Sequence, residues 1–293
     1  MKITIGSRGS DLALWQAYHV KDQLEALGHE ITIQIITTQG DKIQDLSFDK
    51  MEGKGFFTKE IEAALLNKEI DLAVHSHKDL ETTNPEGLMV AAVSPRENPS
   101  ELLLIRKESV DTNQKWKLKA SPIVGTSSAR RKSQVMQHRP DAQLKDLRGN
   151  VPTRINKLRD GNYDAILLAY AGVKRLNLDL SDLEVLILDP KDFIPAPAQG
   201  VLGLQIREED EDLKNVLRQL NDEVVEQRIQ LERSVLRQLD GGCQLPLGIF
   251  CENENEVHVS FSKDWEKGTW YKKYVNHDRA ISAEEILSDL NAL

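Results

Sequence analysis

One feature constrains the fold of this chain more than any other. Short apolar runs alternate with segments whose apolar residues fall at helical spacing. "KITIG", "EITIQIITT", "IDLAVHS" and "LMVAAV" read as strands. Ser10 or Asp11 caps a helix with apolar positions at Leu12, Trp15, Val20 and Leu27, stopped by Gly28, and "FTKEIEAALLN" forms another. Such alternation predicts an α/β architecture with largely parallel strands. After "PRENPSE" it resumes through the strand "PIVGT", the helix "SARRKSQVMQH", the strand "AQLKDL", the helix "VPTRINKLRDG" and the strand "DAILLAY". The proline-dense "DPKDFIPAPAQG" follows and is expected to be irregular. Two proline-bearing stretches around one α/β unit predict two crossings between hinged lobes, with the first unit discontinuous and resuming at "VLGLQIR". The expected domains are 1–97 with 199–219, then 101–192, then 221–293. The last is read as a smaller α/β unit, helical over 222–239, with strands near "LGIFC", "EVHVSFS" and "TWYKKYV" and a closing helix near "AEEILSDLNAL". The polar stretch from Gly40 to Gly55 has no clear period and reads as a lid or a disordered loop.

A net charge of −9 argues against a general nucleic-acid binder, but it hides an asymmetry. From Ser121 to Arg175 there are eleven Lys/Arg against four Asp/Glu. A cationic segment inside an acidic protein suits a small, specific anion. No run approaches the length of a membrane span, and the N-terminal residues contain no apolar signal core. Cys243 and Cys251 form neither a disulfide framework nor a metal-binding spacing, so a reducing cytoplasm is expected. Nothing in the sequence demands more than a monomer.

Three junctions share a design: "SRGS" at 7–10, "GTSSARR" at 125–131 and "RGNVPTR" at 148–154. Each follows a strand and opens a helix, with hydroxyl or amide residues beside arginine. Helix N-termini attract anions through free N–H groups, and arginine adds a fork that fits a carboxylate. Arg175, after "DAILLAYAG", belongs with them. The ends of parallel strands face a common crevice, so the expected ligand is anionic at several points. Ordinary capping with exposed arginines is the plainer alternative at any one junction.

"AVHSHKDLE" places His75, His77 and Asp79 on one face if the backbone is extended. That pattern resembles a metallohydrolase ligand set. It also fits a strand-end loop with satisfied polar groups, or a working carboxylate, Asp79, beside Lys78. In "QLDGGCQLPLG", Cys243 follows Gly241 and Gly242 and precedes Pro246. Glycines let a bulky group approach the backbone, which suits a thiol carrying an attached group; a buried, inert thiol is the alternative.

Taken in order, "ITIGSRGSDLALWQA", "HSHKDL", "VGTSSARR", "LRGNVPTR", "PAPAQG" and "GGCQLPLG" resemble the porphobilinogen deaminase family from Ile3 to Gly248. The resemblance implies a transferase that joins four porphobilinogen molecules head to tail with loss of ammonia, then releases the linear tetrapyrrole. It implies a dipyrromethane cofactor held by a thioether to Cys243, contacted by Lys78, Ser128, Arg130, Arg131, Arg154 and Gln199. It places substrate carboxylates on Arg8, Ser10, Arg148, Arg154 and Arg175, makes Asp79 the catalytic carboxylate, and requires no metal. The family's fold is two hinged lobes like type II periplasmic binding proteins, with a third domain bearing the cysteine. His77 stands where an apolar residue is more usual, and Ala198 where glycine is. A non-enzymatic anion-binding module of the same two-lobed shape is the alternative function.

Overall fold

The computed structural model describes residues 1–38, 58–239, 245–266 and 268–293. The 41–55 loop and Cys243 lie outside the described residues.

Three sheets organise the chain. The first has the order β2-β1-β3-β10-β4. Its strands are β1 (Lys2–Ser7), β2 (Glu30–Ile35), β3 (Leu72–Ser76), β4 (Leu88–Val93) and β10 (Leu202–Arg207). β10 runs antiparallel to both its neighbours, and β1 is parallel to β2 and β3. A strand from beyond residue 200 thus lies between β3 and β4, and every residue of it is buried. The second sheet repeats the plan as β7-β6-β8-β5-β9. It comprises β5 (Glu101–Arg106), β6 (Ile123–Gly125), β7 (Gln143–Lys145), β8 (Ala165–Ala169) and β9 (Leu183–Leu188). Here β5 is the antiparallel member, paired with β8 and β9. β8 reads "AILLA" without alternation because the sheet is covered on both faces. The third sheet, β11 (Leu247–Asn253), β12 (Glu256–Phe261) and β13 (Trp270–Val275), is wholly antiparallel.

Helices α1 (Asp11–Ala26), α2 (Lys59–Leu66), α3 (Ala129–His138), α4 (Val151–Arg159) and α5 (Tyr170–Leu176) belong to the two lobes. α6 (Glu211–Leu217) follows β10, and α7 (Glu223–Gln238) leads to the third sheet, which α8 (Ala283–Ala292) closes. α7 straddles two cores. Val225 and Ile229 pack with Val93, Ala198 and Val201, whereas Val235 and Leu236 join the third sheet and Ile286. Burying these aliphatic side chains contributes about 1.5–3 kcal/mol each and ties the third unit to the first lobe.

The chain crosses between the lobes twice, near 94–100 and 189–201. At Gly200, φ is +93° and an added Cβ would lie 2.2 Å from the Glu97 carbonyl oxygen, so only glycine fits. Ala198 sits at φ +58°, fully buried, in the left-handed region. That geometry explains why glycine suits this position; an alanine there costs about 1–2 kcal/mol.

Two local expectations change. The extended reading of His75, His77 and Asp79 ends at Ser76, because His77–Asp79 form a 3-10 turn. Strand alternation therefore does not set their directions. "AQLKDL" is paired as strand only over Gln143–Lys145.

Candidate functional site

Each cationic junction sits where a strand of a mostly parallel sheet gives way to a helix. Ser10 caps α1, its Oγ accepting from the Ala13 amide at 3.4 Å. Ser128 caps α3 in the same way, accepting from the Arg131 amide at 3.4 Å. Asn150 caps α4, accepting from the Thr153 amide at 2.9 Å, with Pro152 in the first turn. The plain capping role is therefore real at all three, and it aims free helix N–H groups at the strand ends. Arg8 and Ser10 share one cavity with Gln16, His75, Ser76 and Asp79.

The arginines divide by what they touch. Arg130 is committed to structure: Nη2 donates to Glu101 Oε1 at 2.6 Å, and Nη1 to the Ile194 carbonyl at 2.9 Å. Arg131 reaches the second Glu101 oxygen at 2.8 Å and the Leu167 carbonyl at 3.0 Å, while its Nε is buried with no hydrogen-bond partner. Arg154 donates from Nε to the Gly149 carbonyl at 2.6 Å. Burial, then repulsion from Arg131 and Arg148, lowers its pKa to about 10, against the attraction of Asp79. Arg175 belongs by sequence to the second lobe but reaches out of it. Its Nη2 donates to the Gly200 carbonyl at 2.7 Å, and its guanidinium lies 5.6 Å from the Trp15 ring on α1. Burial lowers Arg175 to about 10.

Across from these stand Lys78 and Asp79. Asp79 is exposed, and its charge acts on both Lys78 and Arg154. Lys78 is half-buried, and desolvation lowers its pKa despite the pull of Asp79. Its Nζ donates to Gln199 Oε1 at 3.2 Å. Gln199 is fully buried and its amide donates to the Pro99 carbonyl at 2.7 Å and to Glu101 at 3.2 Å. The structure thus brings Lys78, Asp79, Arg131, Arg148 and Arg154 into one electrostatic group, with Arg130 and Gln199 behind it.

His75 and His77 do not form a metal-ligating set with Asp79 among the described residues. His75 Nε2 bonds Gln205 Oε1 at 3.1 Å. His77 is buried, its Nδ1 unpartnered, and burial pushes its pKa down to about 3. Among the described residues, the one group of three side chains able to converge on a metal ion is Glu252, Glu256 and His258, in the third sheet.

Three residues that hold the site's elements in place escape a reading by motif. Glu101 opens β5, has no exposure, and holds Arg130 and Arg131 together. Burial opposes its charge, but Arg131, Arg130 and Lys78 outweigh that and hold it at about 2. A lone acid directly before "LLLI" was the available signal. Glu232 and Arg233, on α7, look like one exposed helix face in sequence. Glu232 instead is fully buried, receives the Arg96 fork at 2.7 and 3.2 Å, and accepts from the Ala198 amide at 2.7 Å. Arg233 donates to the carbonyls of His77, Leu80 and Glu81, and so fixes the turn carrying Asp79.

The donor set can be tested against a dipyrromethane bearing several carboxylates. Among the described residues the buried Arg131 Nε has no hydrogen-bond partner, and Arg131 and Arg148 repel Arg154, so an anion with several carboxylates fits this cationic group.

Residues 3–215 match the family model described as porphobilinogen deaminase, dipyromethane cofactor binding domain. A porphobilinogen deaminase of Nitratiruptor sp. is 47% identical over 249 residues, covering 85% of this chain and 78% of that protein. Another from Maridesulfovibrio salexigens is 47% identical over 257 residues, covering 87% and 82%. Among solved structures, an ancestral cationic amino acid solute binding protein aligns with 77% of this chain and 89% of its own, at 13% identity and a TM-score of 0.45.

Proposed function

This chain belongs to the porphobilinogen deaminase family, and from that premise we propose how its residues divide the work. It is a transferase of tetrapyrrole biosynthesis, a hydroxymethylbilane synthase that acts on porphobilinogen and uses a dipyrromethane cofactor. When bound, that cofactor supplies the pyrrole carbon to which substrate units are added. Cys243 anchors it through a thioether, a bond that survives while product leaves. Lys78, Ser128, Arg131 and Arg154 hold its carboxylates, and Arg130 and Gln199 position that group from behind through Glu101. Arg8, Ser10, Arg148 and Arg154 bind the acetate and propionate of the incoming substrate. Arg175, tied to Gly200 and Trp15, binds substrate from a place where it also links the lobes.

Asp79 accepts hydrogen bonds from pyrrole N–H groups and stabilises the positive charge left on the substrate ring as ammonia departs. It then assists loss of the ring proton after carbon–carbon bond formation. Support comes from one observation above all: Asp79 lines the cavity that holds Arg8 and Ser10, and its charge acts on both Lys78 and Arg154. A fixed negative charge beside the reacting ring stabilises a developing cation with little reorganisation.

The same reading divides the chain into domains 1–97 with 199–219, 101–192 and 221–293. It makes the protein a cytoplasmic monomer acting on a small molecule, without nucleic acid or membrane. Among the described residues no helix is long and apolar enough to cross a membrane, and Cys251 is a buried free thiol.

Asp79→Asn tests the central role. It keeps shape and loses charge, so kcat should fall about 100- to 1000-fold, with the primer still attached. Wild-type turnover by this variant would remove Asp79 from the chemistry.

A further inference from the structure

His75 lies on β3 beside the catalytic turn, and the motif that contains it left its role open. It is 7% exposed and lines the cavity that also holds Arg8, Ser10, Ser76 and Asp79. One ring nitrogen is committed: Nε2 meets Gln205 Oε1 at 3.1 Å. The Gln205 amide is itself oriented, because its NH2 donates to Glu62 Oε1 at 3.2 Å, and Thr58 Oγ1 donates to Glu62 Oε2 at 3.3 Å. Glu62 accepts at both oxygens, so Gln205 turns its carbonyl toward His75. Nε2 therefore carries the proton, and Nδ1 carries the lone pair. Among the described residues no hydrogen bond engages Nδ1, and the His75 side chain lines the cavity, which makes Nδ1 the ring nitrogen available to a ligand there. Arg8 bears on the ring from the same cavity, and its charge disfavours the imidazolium further.

A neutral acceptor is unusual here, because the other named contacts to the ligand, Asp79 apart, come from cations, hydroxyls and helix N–H groups. Those groups suit carboxylates. Porphobilinogen offers two kinds of donor, its pyrrole N–H and its aminomethyl nitrogen, and the pyrrole N–H is taken by Asp79. We propose that His75 Nδ1 accepts a hydrogen bond from the substrate's aminomethyl ammonium group, and so determines specificity for the amine that leaves. This inference rests on the family-based reading of the crevice.

The chemistry favours imidazole over a stronger base. Deamination breaks the carbon–nitrogen bond, the bonding pair goes to nitrogen, and the ammonium leaves as neutral ammonia while the methylene carbon becomes cationic, its charge shared with the pyrrole ring. The nitrogen must keep its proton until that bond breaks. Burial, outweighing the bond to Gln205, lowers the His75 pKa to about 4. An acceptor this weak orients the ammonium without deprotonating it.

Two polar substitutions in the primed holoenzyme separate the proposal from a structural role. His75→Gln extends its amide to the Nε2 position, keeping the bond to Gln205 and losing the cavity acceptor. His75→Asn places its carbonyl near Nδ1, keeping the acceptor. The probes are porphobilinogen and the same pyrrole dicarboxylate lacking the aminomethyl group, measured as a competitive inhibitor. His75→Gln should raise KM for porphobilinogen about tenfold or more, the loss expected for one hydrogen bond to a charged donor, while the inhibition constant stays within about twofold. His75→Asn should restore most of that KM. An unchanged KM in His75→Gln, or equal weakening of substrate and inhibitor, overturns the proposal. A wild-type holoenzyme unable to turn over porphobilinogen would overturn the family-based reading itself, and this inference with it.

Discussion

Glu101→Gln tests whether one buried carboxylate organises the arginine crevice. Glu101 is fully buried and faces the forks of both Arg130 and Arg131, at 2.6 and 2.8 Å. Two routes give the magnitude. Those cations hold its carboxyl near 2 against an ordinary 4.5, and at ~1.4 kcal/mol per pH unit the ionised form gains about 3 kcal/mol from the fold. Because the folded pKa is depressed, this stability is present above pH 4.5 and is lost as the pH falls toward 2. Independently, removing one partner of a buried pair costs about 3–5 kcal/mol, since the remaining charge stays desolvated. With a urea slope of about 1.5 kcal/mol per molar for a lobe of this size, the midpoint at pH 7.5 should fall by about 2 M. Intrinsic fluorescence from Trp116, which packs in the same core as β5, follows that lobe. Exchanging Arg130 for methionine as well should recover part of the loss, because the orphaned cation goes with its partner. A shift below ~0.5 M for the single variant would refute this account, since a surface substitution does as much.

Acid should weaken the protein earlier than its carboxylates require. His75 and His77 are held near 4 and 3 by burial, so each stays neutral in the fold while the unfolded chain protonates below about 6.5. Stability is then full above pH 6.5 and falls by about 1.4 kcal/mol per pH unit for each histidine as the pH drops toward 4; equal melting temperatures at pH 7.5 and 5.5 would contradict it. His77→Met removes the unpartnered Nδ1, so it should add about 1–3 kcal/mol and flatten that acid slope, measured by the same melts. Arg154→Lys replaces a fork with a point charge and should raise KM about tenfold or more, with little change in melting temperature; unchanged steady-state constants would remove Arg154 from carboxylate binding.

The lobed plan was legible because its signals are local. The strand "AILLA" is apolar throughout because both faces are covered, and Ser10, Ser128 and Asn150 mark helix starts that the structure caps in the expected way. What stayed hidden depends on distant partners. Nothing near Gln205 in sequence says that it orients His75, a residue 130 positions away. Glu232 has the local pattern of an exposed helix face and becomes buried only because Arg96, from the first crossing, folds onto it. Arg130 and Arg131 are adjacent and chemically alike, yet one is consumed by Glu101 and Ile194 and the other keeps a buried Nε unpartnered. The misread at His77–Asp79 has the same origin. Period-two alternation ends where the backbone turns, and that turn is held by Arg233 from α7.

The most direct test of the whole account is the intact mass of the purified protein under denaturing conditions. A covalent primer on Cys243 predicts an excess over the bare sequence equal to two porphobilinogen units less their two ammonia molecules. The Cys243→Ser protein should lack that excess, and Asp79→Asn should retain it. A wild-type mass equal to the bare sequence, unchanged after incubation with porphobilinogen, would contradict the account.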